Sequence, residues 1–82
     1  MNKLGTVIKI YPKIKIALVS LSADVFLGQK VYFTDQNGQI VFNYTIENIK
    51  QNHQNLDFAK AGSVIGLKIN EEVKVGYEIY RS

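Results

Sequence analysis

Four residues near the N-terminus combine side chains that do chemistry together: Lys9, Tyr11, Lys13 and Lys15, at every second position. In an extended chain alternate residues share a face, so Lys9 and Tyr11 lie on one side of a strand, opposite Ile8 and Ile10. A tight hairpin after Tyr11 brings Lys13 and Lys15 close by. Cations around an exposed aromatic ring suit a nucleic acid, since ammonium groups meet phosphates and tyrosine stacks on bases. Lys68 and Lys74 extend such a patch if their faces agree. The same residues also fit a plainer role, keeping a small barrel soluble and blunting a sheet edge.

Catalytic chemistry finds less support. The chain has one histidine, His53, and no cysteine. A metal shell needs three or four convergent ligands. Carboxylates such as Asp57 or Glu71 are the only candidates to join His53, which lies between Asn52 and Gln54 in an expected loop and reads as structural or solvated. Ser20, Ser22 and Ser63 lack the strand–turn–helix context of an activated nucleophile. Glu71 and Glu72 are adjacent, so in an extended segment they point apart and form no acid–base pair. The glycines occur singly, without a phosphate-cradling loop that opens a helix. No catalytic, metal or cofactor-binding residue is assigned, and the chain alone is not expected to be an enzyme.

A second surface is aromatic: Phe26, Tyr32, Phe33, Phe58, Tyr77 and Tyr80. Most are expected in the core or half-buried, but several exposed together mark a protein-docking surface.

These residues must be positioned by a small scaffold. With 82 residues the chain is one domain, residues 1–82, and 46% apolar composition is enough for a core. A domain this size buries only about 60% of its unfolded surface. Its net charge of +3 permits RNA or DNA as partner without demanding either. No apolar run approaches the roughly 20 residues of a membrane helix, and Met1–Gly5 does not resemble a signal peptide. A cytoplasmic protein without membrane contact is the expectation.

The strands follow from patterning. Residues 4–11 form the first, with Leu4, Thr6, Ile8 and Ile10 expected on one face. Pro12 marks a turn, and residues 14–22 form the second, with Ile14, Ile16 and Leu18 opposite Ala17, Val19 and Leu21. Being apolar on both faces, its later half calls for a cover, either another element or a partner. Residues 22–28 read as a loop and 29–34 as a strand. Asn37-Gly38 predicts a type I′ hairpin, because both central positions of that turn need positive φ. Residues 40–51 continue as a strand, and 52–62 as a loop in which one helical turn around 57–61 stays open. Val64–Ile69, with Ile65, Leu67 and Ile69 inward, and residues 77–81 complete six strands. Gly66 marks a bend or a close backbone approach. The class is all-β, a small six-stranded antiparallel barrel, since closure removes exposed edges.

The pieces Gly5-Thr6-Val7, Lys13-Ile14-Lys15-Ile16-Ala17-Leu18-Val19, Phe26-Leu27-Gly28 with Val31, Ala59 through Leu67, and Val73-Lys74-Val75-Gly76 occur in order along nearly the whole chain. Together they resemble the second-domain β-barrel of translation factors, in the compact form of stand-alone elongation-factor-like proteins and of the C-terminal module of collagenase-like peptidases. Gln29, Ser63 and Tyr77 stand where that pattern usually has aspartate, so no ligand site is carried over. The resemblance implies a barrel of the translation-factor domain 2 type and a non-catalytic accessory module acting through a protein partner. The alternative is a small protein that binds tRNA or rRNA. Self-association into a homodimer through the second strand is a further expectation.

Overall fold

β-Branched and aromatic residues recur along the chain between short polar turns, and the computed structural model, which describes residues 3–82, is built of strands alone. They are β1 Lys3–Tyr11, β2 Ile16–Leu21, β3 Val25–Phe26, β4 Lys30–Thr34, β5 Ile40–Thr45, β6 Ile49–Gln51, β7 Gln54–Leu56, β8 Phe58–Ala59, β9 Val64–Lys68 and β10 Glu78–Arg81. Eight form one sheet in the order β5-β4-β10-β1-β2-β9-β6-β7, and β3 pairs with β8 as a separate ribbon. The ladders are antiparallel. The expected all-β class is therefore observed.

The circuit differs from a barrel closed by hydrogen bonds. β5 and β6 are consecutive in the chain and lie on opposite flanks of the sheet, β5 paired to β4 and β6 paired to β9. Residues 46–48 join the flanks, so the covalent chain turns the corner there and no β5–β6 ladder exists. Ile46 is buried at this corner, its N–H donating to Gln29 O (3.0 Å) and its carbonyl accepting from the Gly28 N–H (2.7 Å). Tyr44 Oη also donates to Lys68 O across the gap between β5 and β9, at 2.5 Å. Burial, then the nearby Glu47 carboxylate, raises the Tyr44 phenol above its ordinary range, which keeps it a donor.

The core is the inward face of these strands, with Val19, Val31, Phe33 and Ile49 fully shielded. Ala17, Val19 and Leu21 point inward from β2, and Ile65, Leu67 and Ile69 from β9 and its end, as patterning required. The first strand departs from simple alternation. Val7 lies opposite Val19 but Lys9 lies opposite Leu18, so Ile8 is an extra residue in a bulge. One inserted residue reverses the facing of the rest of the strand. Val7 and Ile10 therefore both turn toward the core, while Ile8 is exposed.

Two turns exchange expectations. The β4–β5 hairpin forms, but only Gly38 of its turn has positive φ (83°). Asp35 Oδ1 accepts the N–H groups of Asn37 (2.8 Å) and Gln39 (3.0 Å), and Asp35 N–H donates to Gln39 O. The loop is thus a three-residue connection ending in a left-handed glycine. The two-residue turn with both φ positive occurs instead at Asn52 (φ 54°) and His53 (φ 66°), joining β6 to β7. The expected loops 22–28 and 52–62 accordingly contain β3, β7 and β8, each of two or three residues and too short for a periodicity signal. Residues 57–61 form no helical turn. β2 begins at Ile16, leaving Ile14 exposed in the turn before it.

At the β1–β10 seam Lys3 Nζ lies 2.8 Å from Glu78 Oε2, and Tyr80 Oη donates to Glu78 Oε1 at 2.9 Å. The hydrogen bonds from Lys3 and then Tyr80 hold the Glu78 carboxyl below its usual range, and the Glu78 bond raises Lys3. A depressed carboxylate contributes stability above its unfolded pKa and loses it as pH falls through the folded value. The raised Lys3 contributes below its unfolded pKa and loses it as pH rises through the folded one. The pair is surface-exposed, so the contribution is at most about 1 kcal/mol. Glu78→Gln is expected to leave the acid loss of stability shallower in urea titrations run between about pH 5 and 2.

Candidate functional site

Residues directly opposite one another in a ladder share a sheet face. On β1, β2, β9 and β6 this places Lys9, Leu18, Gly66 and Lys50 in one row across four strands, and Tyr11, Ile16 and Lys68 in the next. Their inward neighbours Val7, Ala17, Val19, Leu67 and Ile49 are buried, so both rows lie on the outer face. Lys9 Nζ sits 5.2 Å from the centre of the Tyr11 ring, a cation–π contact, and the ring remains 39% exposed. Ile16 and Leu18 are half-buried between these residues. Lys9, Lys50 and Lys68 are exposed, and none is ion-paired among the described residues.

The structure brings together Lys9 and Tyr11 as expected and puts Lys13 on the adjoining turn. Lys15 goes elsewhere. Its backbone is left-handed (φ 58°), its N–H donates to Pro12 O and its carbonyl accepts from Ile69 N–H. It lines a cleft of about 260 Å³ with Ile10, Ile16, Ile69, Glu71 and Glu72. Lys50 was missed because no local pattern ties it to β1; only the β6–β9 ladder reveals that relation. Lys68 joins the face through its place opposite Ile16, and Lys74 lies in the β9–β10 loop.

The second candidate surface is the β3–β8 ribbon. Phe26 and Phe58 face each other across it and stay 50% and 46% exposed, with Leu27 beside them at 38%. The ribbon is pinned from several directions. Gln29 Oε1 accepts the Phe26 N–H, Leu27 N–H donates to Asp57 O, and Asp24 Oδ1 accepts the Ala61 N–H at 2.8 Å. Gln29 is itself buried, which gives this residue a structural task where the resembling pattern has aspartate. The other four aromatics are elsewhere: Phe33 is buried, Tyr32 stacks on Tyr80 at 5.5 Å, and Tyr77 is packed against the core.

His53 is exposed in the β6–β7 turn. No group of three or more histidine, cysteine or carboxylate side chains among the described residues is arranged to hold a metal. No helix of the described residues is long and apolar enough to cross a membrane.

Comparison with solved structures decides the fold. The C-terminal domain of a Geobacillus thermoleovorans protein assigned to the U32 peptidases superimposes with a TM-score of 0.87 at 20% identity, covering 99% of this chain and 92% of that one. The chain has the fold of that domain. A selenomethionine variant of the domain gives the same TM-score and identity, with all of its chain covered (100%). In sequence, an uncharacterized protease of Methanocaldococcus jannaschii is 26% identical over 78 residues. That match takes in 95% of this chain but only 19% of the protease, so the chain spans about a fifth of the relative's length. No family model matches the chain. Both solved structures are peptidase-type modules, and the translation-factor side of the resemblance rests on the sequence pieces alone.

Proposed function

We propose that the chain is a non-catalytic accessory domain of the kind carried at the C-terminus of U32 peptidases, and that it acts by docking onto a protein partner. The observation that carries this reading is the near-complete overlap with a domain described as one part of a larger peptidase, in a chain that aligns with a fifth of a protease. The occupant that fits is a peptidase-type catalytic body. The exposed Phe26–Phe58 pair supplies what such an interface uses, aromatic anchors on a ribbon held by hydrogen bonds to Gln29 and Asp24.

The test uses the Geobacillus peptidase lacking its own C-terminal domain. The 82-residue chain is titrated into that body by calorimetry, and separately incubated alone with a fluorogenic protein substrate. Binding without cleavage by the chain alone is expected. Replacing both phenylalanines by serine (F26S/F58S) should weaken binding at least about 30-fold, since two anchors of this kind carry roughly 2 kcal/mol or more, while the melting temperature stays near that of the parent. Cleavage by the chain alone, or binding indifferent to the double substitution, overturns the reading.

A further inference from the structure

We infer that the outer face of β1, β2, β9 and β6 is a binding platform for single-stranded nucleic acid, independent of the docking ribbon. Its two rows of residues border an apolar strip with lysines. Lys9 stands at one end of the longer row and Lys50 at the other, three strand spacings or about 14 Å apart. Lys68 borders the second row, whose other end is Tyr11. Lys13 projects from the adjoining turn, whose neighbour Ile14 is 61% exposed.

Between the lysines the surface is apolar. Gly66 occupies the middle of the longer row, and a Cβ there would come within 3.2 Å of Ile16 Cγ2. The side chains of half-buried Ile16 and Leu18 close over the glycine, which is itself buried, so the surface between the lysines is aliphatic. An apolar strip with an exposed tyrosine offers bases a surface to pack on, and the cations at its margins meet the phosphates on either side. An acidic peptide would use the lysines but has no need of the ring set between them. A duplex keeps its bases stacked and would leave Tyr11 and the strip without a partner. Glu71 and Glu72 line the cleft by the β1–β2 turn together with Lys15 and Ile16.

The ligand used in the test is a fluorescently labelled 12-nucleotide oligouridylate, bound to the full chain at 50 and 200 mM salt. With four lysines engaged at a slope of about 0.7 each, raising the salt across that range should weaken binding roughly 50-fold. Lys9→Glu combined with Lys50→Glu should abolish measurable binding, and Tyr11→Ala should weaken it about tenfold. Lys30→Glu combined with Lys60→Glu, changing exposed lysines off the platform, should weaken it far less. Thermal melts confirm that each variant is folded. Absence of binding at 50 mM salt overturns the platform, as does equal sensitivity to the control pair. Equal or tighter binding of polyglutamate, or of a duplex of the same length, also overturns it. F26S/F58S should leave oligouridylate binding unchanged, which separates this proposal from the docking one.

Discussion

Phe33→Ala is expected to remove about 4 kcal/mol of stability, the largest loss from any single core truncation. Phe33 is fully buried on β4, opposite Ile79 on one side and Phe42 on the other. Its ring stacks on Phe42 at 4.6 Å and meets the edge of Tyr44 at 5.9 Å. Removing it opens a cavity and also strips the support under β5, the strand whose chain continuation joins the two flanks of the sheet. Domains of this size are held by only about 4–12 kcal/mol. With a urea dependence of about 1 kcal/mol per molar, the midpoint should drop by roughly 4 M. Phe33→Leu keeps most of the volume and should lose well under half as much. Equal losses in the two variants would mean that the ring contacts themselves, and not the filled volume, hold this end of the core.

The second large effect comes from adding a single methyl group. Gly5 sits in β1 between two partners, opposite Leu21 on β2 and Ile79 on β10. A Cβ built there would lie 2.7 Å from Ser20 O and 2.8 Å from Val19 Cγ1. The first of these is backbone and cannot rotate away, so the strands themselves must separate. Overpacking of this kind costs about 1–3 kcal/mol. Relief of unfolded-chain entropy offsets under 1 kcal/mol of that. Gly5→Ala should therefore lower the melting temperature by roughly 10 °C in calorimetry, and Gly5→Val by more. A melting temperature within about 2 °C of the parent would show that β1 and β2 yield at this point at little cost.

These two residues illustrate how much of the molecule was legible beforehand. Phe33 belongs to a strand that was evident, but it was grouped with five other aromatics as one candidate surface, and its place in the core is settled by the pairing of β4 with β10 and β5. Gly5 was recognisable as part of a sequence pattern, but the close approach of β2 that requires it depends on register. Register is also where the first strand was misjudged. Ile8, Lys9 and Ile10 are each ordinary strand residues, and nothing in their order marks Ile8 as the bulged one. The Asn37-Gly38 pair promised positive φ at both positions, yet the Asp35 carboxylate captures two backbone N–H groups and only Gly38 takes up that conformation. Asn52 and His53 adopt it instead, because β6 and β7 are close-paired right up to Gln51 and Gln54.

The candidate surfaces divide in the same manner. Lys9 and Tyr11 could be placed together because neighbours two apart on a strand share a face whatever the wider fold. Lys15 could not, since its left-handed backbone follows from the turn and directs it to the cleft. Lys50 is brought beside β9 only by the chain turning its corner at residues 46–48, a long-range event without local signature. Phe26 and Phe58 were recognisable as aromatic but not as a pair. Their two-residue strands are specified by each other and by the Asp24, Gln29 and Asp57 contacts, not by local periodicity.

The accessory-domain account is tested most directly by exchange. The C-terminal domain of the Geobacillus peptidase is replaced by this chain, and cleavage of a fluorogenic protein substrate is compared among the intact protein, the chimera, the truncated body and the chimera carrying F26S/F58S. The chimera should retain most of the difference between intact and truncated protein, and the doubly substituted chimera should fall to the truncated level. A chimera no different from the truncated body, or one untouched by loss of both phenylalanines, would contradict it.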